Sequence, residues 1–199
     1  MIIIGLCGQS GAGKTTALDV FSSLGTAVVD CDAIARLVTQ KGNECLDELS
    51  GYFGKEILDS DGNLIRQKLA DIAFSEERYL EKLNEITHRH ILREVFALVD
   101  KCRSQGLWAT VIDAPVLFES GLDKDCDTTL AICAEREKRI ERIILRDGIS
   151  RERAEARIAR QLSEKELEEL CDFVIYNNGS EAELVSKITD YVKEIKNRE

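Results

Sequence analysis

The stretch "MIIIGLCGQSGAGKTTALDVFSSLG", residues 1–25, decides the fold. It opens on a nearly unbroken apolar run, 2–7, which reads as a strand buried on both faces. It closes on a helical pattern in which Ala17, Val20, Phe21 and Leu24 share one face and Gly25 supplies a stop. Between them lies a glycine-rich turn with the spacing Gly8-x-x-x-x-Gly13-Lys14-Thr15. Strand, tight loop and helix in that order make a P-loop. Such a loop turns its backbone N–H groups around an anion, so Gly8, Gly11 and Gly13 must avoid Cβ clashes and allow positive φ. The helix that begins near Lys14 points its positive end at the same anion.

Outward from this unit, four more short apolar runs recur at 26–30, 108–113, 129–133 and 173–176. They are continuous rather than alternating and predict a parallel sheet covered on both faces. Helical patterns lie between them. Ile91, Val95, Val99 and Cys102 share one face, and "SEAE" at 180–183 predicts a capping box before a helix with Leu184, Ile188, Tyr191 and Ile195 inward. The rhythm breaks twice. About 75 residues separate the second run from the third, where a parallel crossover needs a dozen or so. This interval, 33–105, reads as a helical subdomain inserted on the sheet. A second helical interval, 135–171, is dense in arginine and reads as a lid. The nucleotide-binding core is then 1–32, 106–134 and 172–199, all within one domain of 199 residues.

Composition narrows the function. Apolar residues make up 44% of the chain, enough for a core, and the formal charge of −10 argues against nucleic-acid binding. No apolar run approaches the ~20 residues of a membrane helix. No basic leader or cleavage site follows "MIII", so no signal peptide is expected. Seven cysteines without C-x-x-C spacing predict neither a disulfide framework nor a zinc site, but small core hydrophobes in the reducing cytoplasm.

The loop predicts ATP or a related triphosphate with Mg²⁺. Lys14 reaches the β- and γ-phosphates and the Thr15 hydroxyl ligates the metal, with Gly8, Gly11, Ala12, Gly13 and Thr16 completing the cradle. A GTPase switch would carry an N-K-x-D run, and none occurs; "DSDG" at 59–62 fits D-x-x-G but follows no strand and reads as a turn. A small-molecule kinase needs an acidic group near the acceptor hydroxyl, an acceptor-binding subdomain and cations over the phosphates. Asp30 and Asp32 end the second strand, where ligands of parallel sheets bind, and so belong beside the loop's mouth. Each is equally open to capping the next helix. Asp113 is open between an outer-shell metal partner and a cap. Cation candidates are Arg136, Arg139, Arg142, Arg146, Arg151, Arg153, Arg157 and Arg160, among which Arg139, Arg142 and Arg146 can share a face.

These residues fall into a wider pattern. "GLCGQSGAGKTT", "LGTAVVDCDAIAR", "DGNLIRQKLADIAF", "ITHRHI", "DAPVLFESGL", "RDGISRERAEARIARQ" and "CDFVIYNNG" occur in the order and spacing of one family. The chain resembles the dephospho-CoA kinases, which phosphorylate the ribose 3′-hydroxyl of dephospho-CoA in the last step of coenzyme A synthesis. The resemblance implies an α/β fold with a five-stranded parallel core, a helical acceptor-binding insert and a helical lid. It implies Asp32 as the catalytic acid, Arg66 and His88 on the acceptor side, Arg142 and Arg146 as lid arginines, and Asn178 near the ATP base. The other reading is a P-loop kinase of another nucleoside or nucleotide. Five positions depart from the family pattern. Gln9, Ser10 and Ala12 replace a Gly, an apolar residue and a Ser; Arg89 replaces a Pro, which removes a fixed φ and adds a charge; and "PVLFE", with Val116 for a Leu, is a mild core change.

Overall fold

The computed structural model describes residues 1–198. The chain forms two compact units, Met1–Val29 with Cys102–Glu199, and Asp30–Lys101.

The first part of the chain runs β1 (Ile2–Gly8), α1 (Lys14–Ser23) and β2 (Ala27–Asp30), followed by α2 (Cys31–Val38). Next come α3 (Glu44–Phe53), α4 (Arg66–Ala73) and the long α5 (Glu77–Ser104). Then follow β3 (Ala109–Asp113), β4 (Thr128–Cys133), α6 (Arg136–Asp147), α7 (Arg151–Ile158), α8 (Glu164–Leu170), β5 (Phe173–Tyr176) and α9 (Glu181–Lys196). The five expected strands are present. Their order is β2-β3-β1-β4-β5, with β1 parallel to β3 and β4, and β4 parallel to β5.

One face of the sheet carries α1 and α9. Ala17, Val20 and Phe21 of α1 meet Leu184, Ile188, Tyr191 and Ile195 of α9 over Ile4, Leu6 and Leu130. Phe21 is fully buried and its ring stands edge-on to Tyr191 at 6.2 Å. A buried Phe of this kind contributes about 1.5–3 kcal/mol, and its loss to Ala costs ~3–5 kcal/mol once the cavity is counted. Burial pushes the Tyr191 phenol up to about 12. The Ser180 hydroxyl accepts from the Glu183 N–H at the start of α9. The two-way capping box forms instead at Ser163 and Glu166, at the start of α8.

In the unit Asp30–Lys101 the helices bury Ile34, Leu46, Leu49, Phe53, Leu69 and Ile86. Along α5 the buried set is Ile86, His90, Val95 and Val99; Ile91 and Cys102 lie half-buried at its margin. His90 Nε2 lies 3.1 Å from Glu48 on α3, and Arg89 pairs with the same carboxylate. These two partners hold Glu48 below the usual carboxylate range. Arg89, which stands in place of the family's proline, lies within α5, where a proline would remove a backbone donor and break the ladder. "DSDG" is a turn, as expected. The Asp59 carboxylate accepts from the N–H groups of Asp61 and Asn63 at 2.9 and 2.8 Å.

Candidate active site

In a parallel sheet the loops after the strands gather at one edge. Here that edge brings together the loop after β1, Asp113 at the end of β3, the start of α6 after β4, and Asn177 after β5.

The loop is held from behind, carbonyl by carbonyl. The Ser10 carbonyl accepts from Arg139 Nε at 3.0 Å, the Gly11 carbonyl from Arg142 Nη1 at 3.2 Å, and the Ala12 carbonyl from Asn177 Nδ2 at 2.8 Å. A trans peptide directs its C=O and the following N–H in opposite senses. Tethering the Ser10 and Ala12 carbonyls therefore turns the N–H groups of Gly11 and Gly13 away from the braces. Those two, with the N–H groups of Lys14, Thr15 and Thr16, have no acceptor among the described residues. Gly13 takes the N-cap position of α1 at φ 100, with no side-chain cap and no acidic residue in the first turn. Glycine is needed here for space as well. A Cβ on Gly11 would lie 2.7 Å from the Arg139 carbonyl oxygen, so α6 can approach only a bare backbone. The result is a row of free donors at a helix N-terminus, the arrangement that binds phosphate.

Lys14 Nζ donates to Asp113 Oδ1. Asp113 is thus an ion-pair partner of the loop lysine, a role outside the two that the sequence left open. Thr15 is exposed and its hydroxyl has no partner among the described residues, so it is free to ligate a metal. Mg²⁺ keeps most of its waters and takes one or two protein ligands beside the phosphates, so a single hydroxyl fits it. No group of three or more metal-ligating side chains occurs among the described residues.

The arginines divide. Arg142 was expected as a lid cation, but its guanidinium is engaged by the Gly11 carbonyl and, at 3.2 Å, by the Asn177 carbonyl. Arg146, one turn on, is exposed and pairs with Asp147 at 2.7 Å. That pairing, with a second bond from Arg157, lowers the Asp147 carboxyl to about 2. Arg136 and Arg151 pair with Glu137 and Glu155. Arg160 is exposed and has no ion-pair partner among the described residues. It lines a cavity of about 520 Å³ with Gly8, Gln9, Glu119 and Glu166. Asn178 does not reach the loop. Its Oδ1 accepts from the Glu135 N–H at 2.8 Å and its carbonyl from Lys138, so it ties β5 to the start of α6.

The Asp30–Lys101 unit separates its two aspartates. Asp30 is the N-cap of α2 and accepts from the Ala33 N–H at 2.8 Å. Asp32 lies in the first turn, exposed and without a partner among the described residues. Arg66 and His88 line one cavity of about 270 Å³, walled by Leu69, Phe74, Leu83 and Ile91. Arg66 Nη2 donates to Thr39 Oγ1 at 3.0 Å.

Comparison with known proteins decides the family. The dephospho-CoA kinase family model matches residues 2–183. The chain belongs to the dephospho-CoA kinase family. A dephospho-CoA kinase of Corynebacterium diphtheriae is 38% identical over 180 residues, covering 90% of each chain. One of Fusobacterium nucleatum is 37% identical over 195 residues, covering 98% of this chain and 99% of its own. A solved Thermus thermophilus protein superposes with a TM-score of 0.78 at 29% identity, over 99% of this chain and 97% of its own.

The three departures within the loop are buried or bonded, whereas Val116, expected as a core change, is exposed. Gln9 is 4% exposed and donates to the Leu162 carbonyl at 3.0 Å, while its Oε1 has no partner. The Ser10 hydroxyl accepts from Gln161 Nε2 at 3.1 Å. Ala12 is fully buried. Arg139, Asn177 and Gln161 are the loop's main supports, and sequence reading assigned none of them to that task. The helical spacing did mark Arg139. Nothing in the sequence pattern separates Asn177 from Asn178.

Proposed function

We propose a division of labour for the reaction of this kinase family. The chain phosphorylates dephospho-CoA with ATP as co-substrate, in coenzyme A biosynthesis. The acceptor atom is the ribose 3′-hydroxyl, and the step is the last of that pathway. The observation that carries this reading is the set of free N–H groups of Gly11, Gly13, Lys14, Thr15 and Thr16, held in place by tethered carbonyls.

The triphosphate occupies this row, with Gly8, Gly11, Ala12, Gly13, Lys14, Thr15 and Thr16 forming the cradle. Lys14 exchanges its Asp113 partner for the β- and γ-phosphate oxygens. Thr15 would hold Mg²⁺, which would supply charge neutralisation at the phosphates. Asn178, bonded through its side chain to Glu135, shapes the rim beside the base. Arg142 keeps the loop in register from behind. Arg146 and Arg160, whose guanidinium groups lie at the surface, are the cations for the transferring phosphoryl group. Asp32 takes the acceptor's proton, a role that its lack of a partner supports. Arg66 and His88 receive the acceptor body in the helical insert, and 135–171 serves as the lid. Catalysis is then positioning and charge neutralisation. The reading makes the chain a cytoplasmic enzyme working on small molecules, without nucleic acid; no helix among the described residues is long and apolar enough to cross a membrane.

One assay tests the reading. ADP release is followed with ATP and, in turn, dephospho-CoA, AMP, CMP and uridine. Dephospho-CoA is expected to give the dominant rate. A rate with a nucleotide or nucleoside but none with dephospho-CoA makes the chain a kinase of that other acceptor.

A further inference from the structure

Arg139 is a buried cation without a buried anion. It is 3% exposed, on the first turn of α6. Its two hydrogen-bond partners are neutral: the Ser10 carbonyl at 3.0 Å and Gln161 Oε1 at 2.9 Å. No carboxylate among the described residues stands within ion-pair distance of it. Glu164 acts on it only at longer range, against the larger effect of burial, which disfavours the charged form. A guanidinium stays protonated under all ordinary conditions, so this charge persists and lacks compensation.

The same two partners define one peptide segment of the phosphate loop. Gln161 Oε1 accepts from the Ser10 N–H at 3.0 Å, and Gln161 Nε2 donates to the Ser10 hydroxyl at 3.1 Å. Arg139 takes the Ser10 carbonyl. Both backbone groups of Ser10 are therefore fixed from outside, one by each residue, and the two residues are bonded to each other. Ser10 directly precedes Gly11, the first of the free donors. The Gly11 backbone lies against the backbone of Arg139, which brings the cation to the rear of the loop.

We propose that Arg139 and Gln161 form a positioning pair that sets the Ser10 peptide in the phosphate loop, and that the bound triphosphate is the counter-charge of Arg139. This rests on the reading that the triphosphate occupies the loop. The pair acts through the loop backbone and touches no reacting atom. An unliganded protein carries the uncompensated charge, and the anion relieves it, so part of the affinity for ATP is stored in this residue.

The inference makes stability and affinity move apart. Gln161→Glu keeps an oxygen for the Ser10 N–H and gives Arg139 a carboxylate. It is expected to raise the Tm of the free protein while weakening ATP binding on the order of tenfold, measured by calorimetric titration. Arg139→Met removes the charge and is expected to leave the free protein's Tm level or higher, with a similar loss of ATP affinity and an unchanged KM for dephospho-CoA. A merely structural brace gives the other pattern. ATP affinity in the folded Gln161→Glu protein within about twofold of the parent overturns the counter-charge, whatever happens to Tm. Should Arg139→Met fail to fold, Gln161→Glu decides alone. The parent and Lys14→Ala serve as controls. A parent that binds no ATP sinks the loop reading itself and this inference with it, whereas a parent that binds ATP beside an unaffected Gln161→Glu sinks only the inference.

Discussion

The phosphate loop and the cavity of the helical unit handle charge in opposite ways. In the loop, the carbonyls of Ser10, Gly11 and Ala12 are each tied by a side chain from another element, and the donors that remain are backbone groups. In the helical unit, exposed Arg66 lines a largely apolar cavity, and Asp32 has no partner among the described residues. The first arrangement is preorganised: the cost of ordering the donors is met during folding, so little reorganisation remains when the anion arrives. The second leaves its charged groups free to settle on a ligand. A tetra-anionic phosphate tail is the same in every encounter and suits a rigid cradle, while a long, jointed acceptor suits adjustable contacts.

The contrast is open to test, and the largest effect is expected at its rigid end. Lys14→Ala should lower turnover by at least about 10³-fold in an ADP-release assay, since it removes the only side-chain cation within the loop. A loss under about tenfold would leave the backbone donors sufficient by themselves. At the free end, Asp32→Asn should lower kcat by ~10²–10⁴ if the carboxylate takes the acceptor's proton. Activity within about threefold of the parent would assign Asp32 to the solvent. Arg142 and Arg146 set the two principles side by side on one helix. Arg142→Ala should raise the KM for ATP and lower Tm, because two loop-side carbonyls lose their donor, whereas Arg146→Ala should act on kcat with little change in KM. Equal kinetic effects from both would erase the distinction between brace and lid cation. In the cavity of the helical unit, Arg66→Ala should raise the KM for dephospho-CoA by about tenfold and leave the KM for ATP unchanged if the acceptor binds there. Unequal effects in the reverse direction would move the acceptor out of that cavity. The smallest effect concerns Asp147, whose carboxyl is lowered from 3.8 to about 2, chiefly by its bond to Arg146. A depressed carboxyl pKa contributes stability that is complete above the unfolded value and is lost as pH falls through the folded one. Tm should therefore fall more steeply in the parent than in Asp147→Asn between about pH 4 and about pH 2. Parallel curves would show that the Arg146 and Arg157 contacts add nothing to stability in this solvent-exposed pair.

Local pattern made much of this molecule legible. The five apolar runs became five strands because burial on both faces leaves no alternation to confuse the reading. The four residues expected on the inward face of α9 are all buried, with Val192 added to them, since a helix against a sheet obeys its own 3.6-residue period. The glycines of the loop and the free helix N-terminus were equally plain. Asp30 and Asp32 could not be separated, because capping depends on a backbone turn of one residue more or less. The lid arginines divide for another reason. Helical spacing places Arg139, Arg142 and Arg146 near one face, but each turn of α6 reaches a different depth, and only the first two meet the loop.

The sequence by itself determined the strand–loop–helix unit, the chemistry of its anion and the family to which the chain is similar. These follow from neighbours in the chain, whose geometry is set by local sterics and periodicity. Only the tertiary structure decided how "GQSGAGK" is held: Arg139, Gln161 and Asn177 lie more than a hundred residues away in the chain, and no local rule pairs them with Ser10 and Ala12. The sheet brings them there. Parallel strands deliver their following loops to one edge, and contact at that edge is a property of strand order, which the sequence of elements does not state.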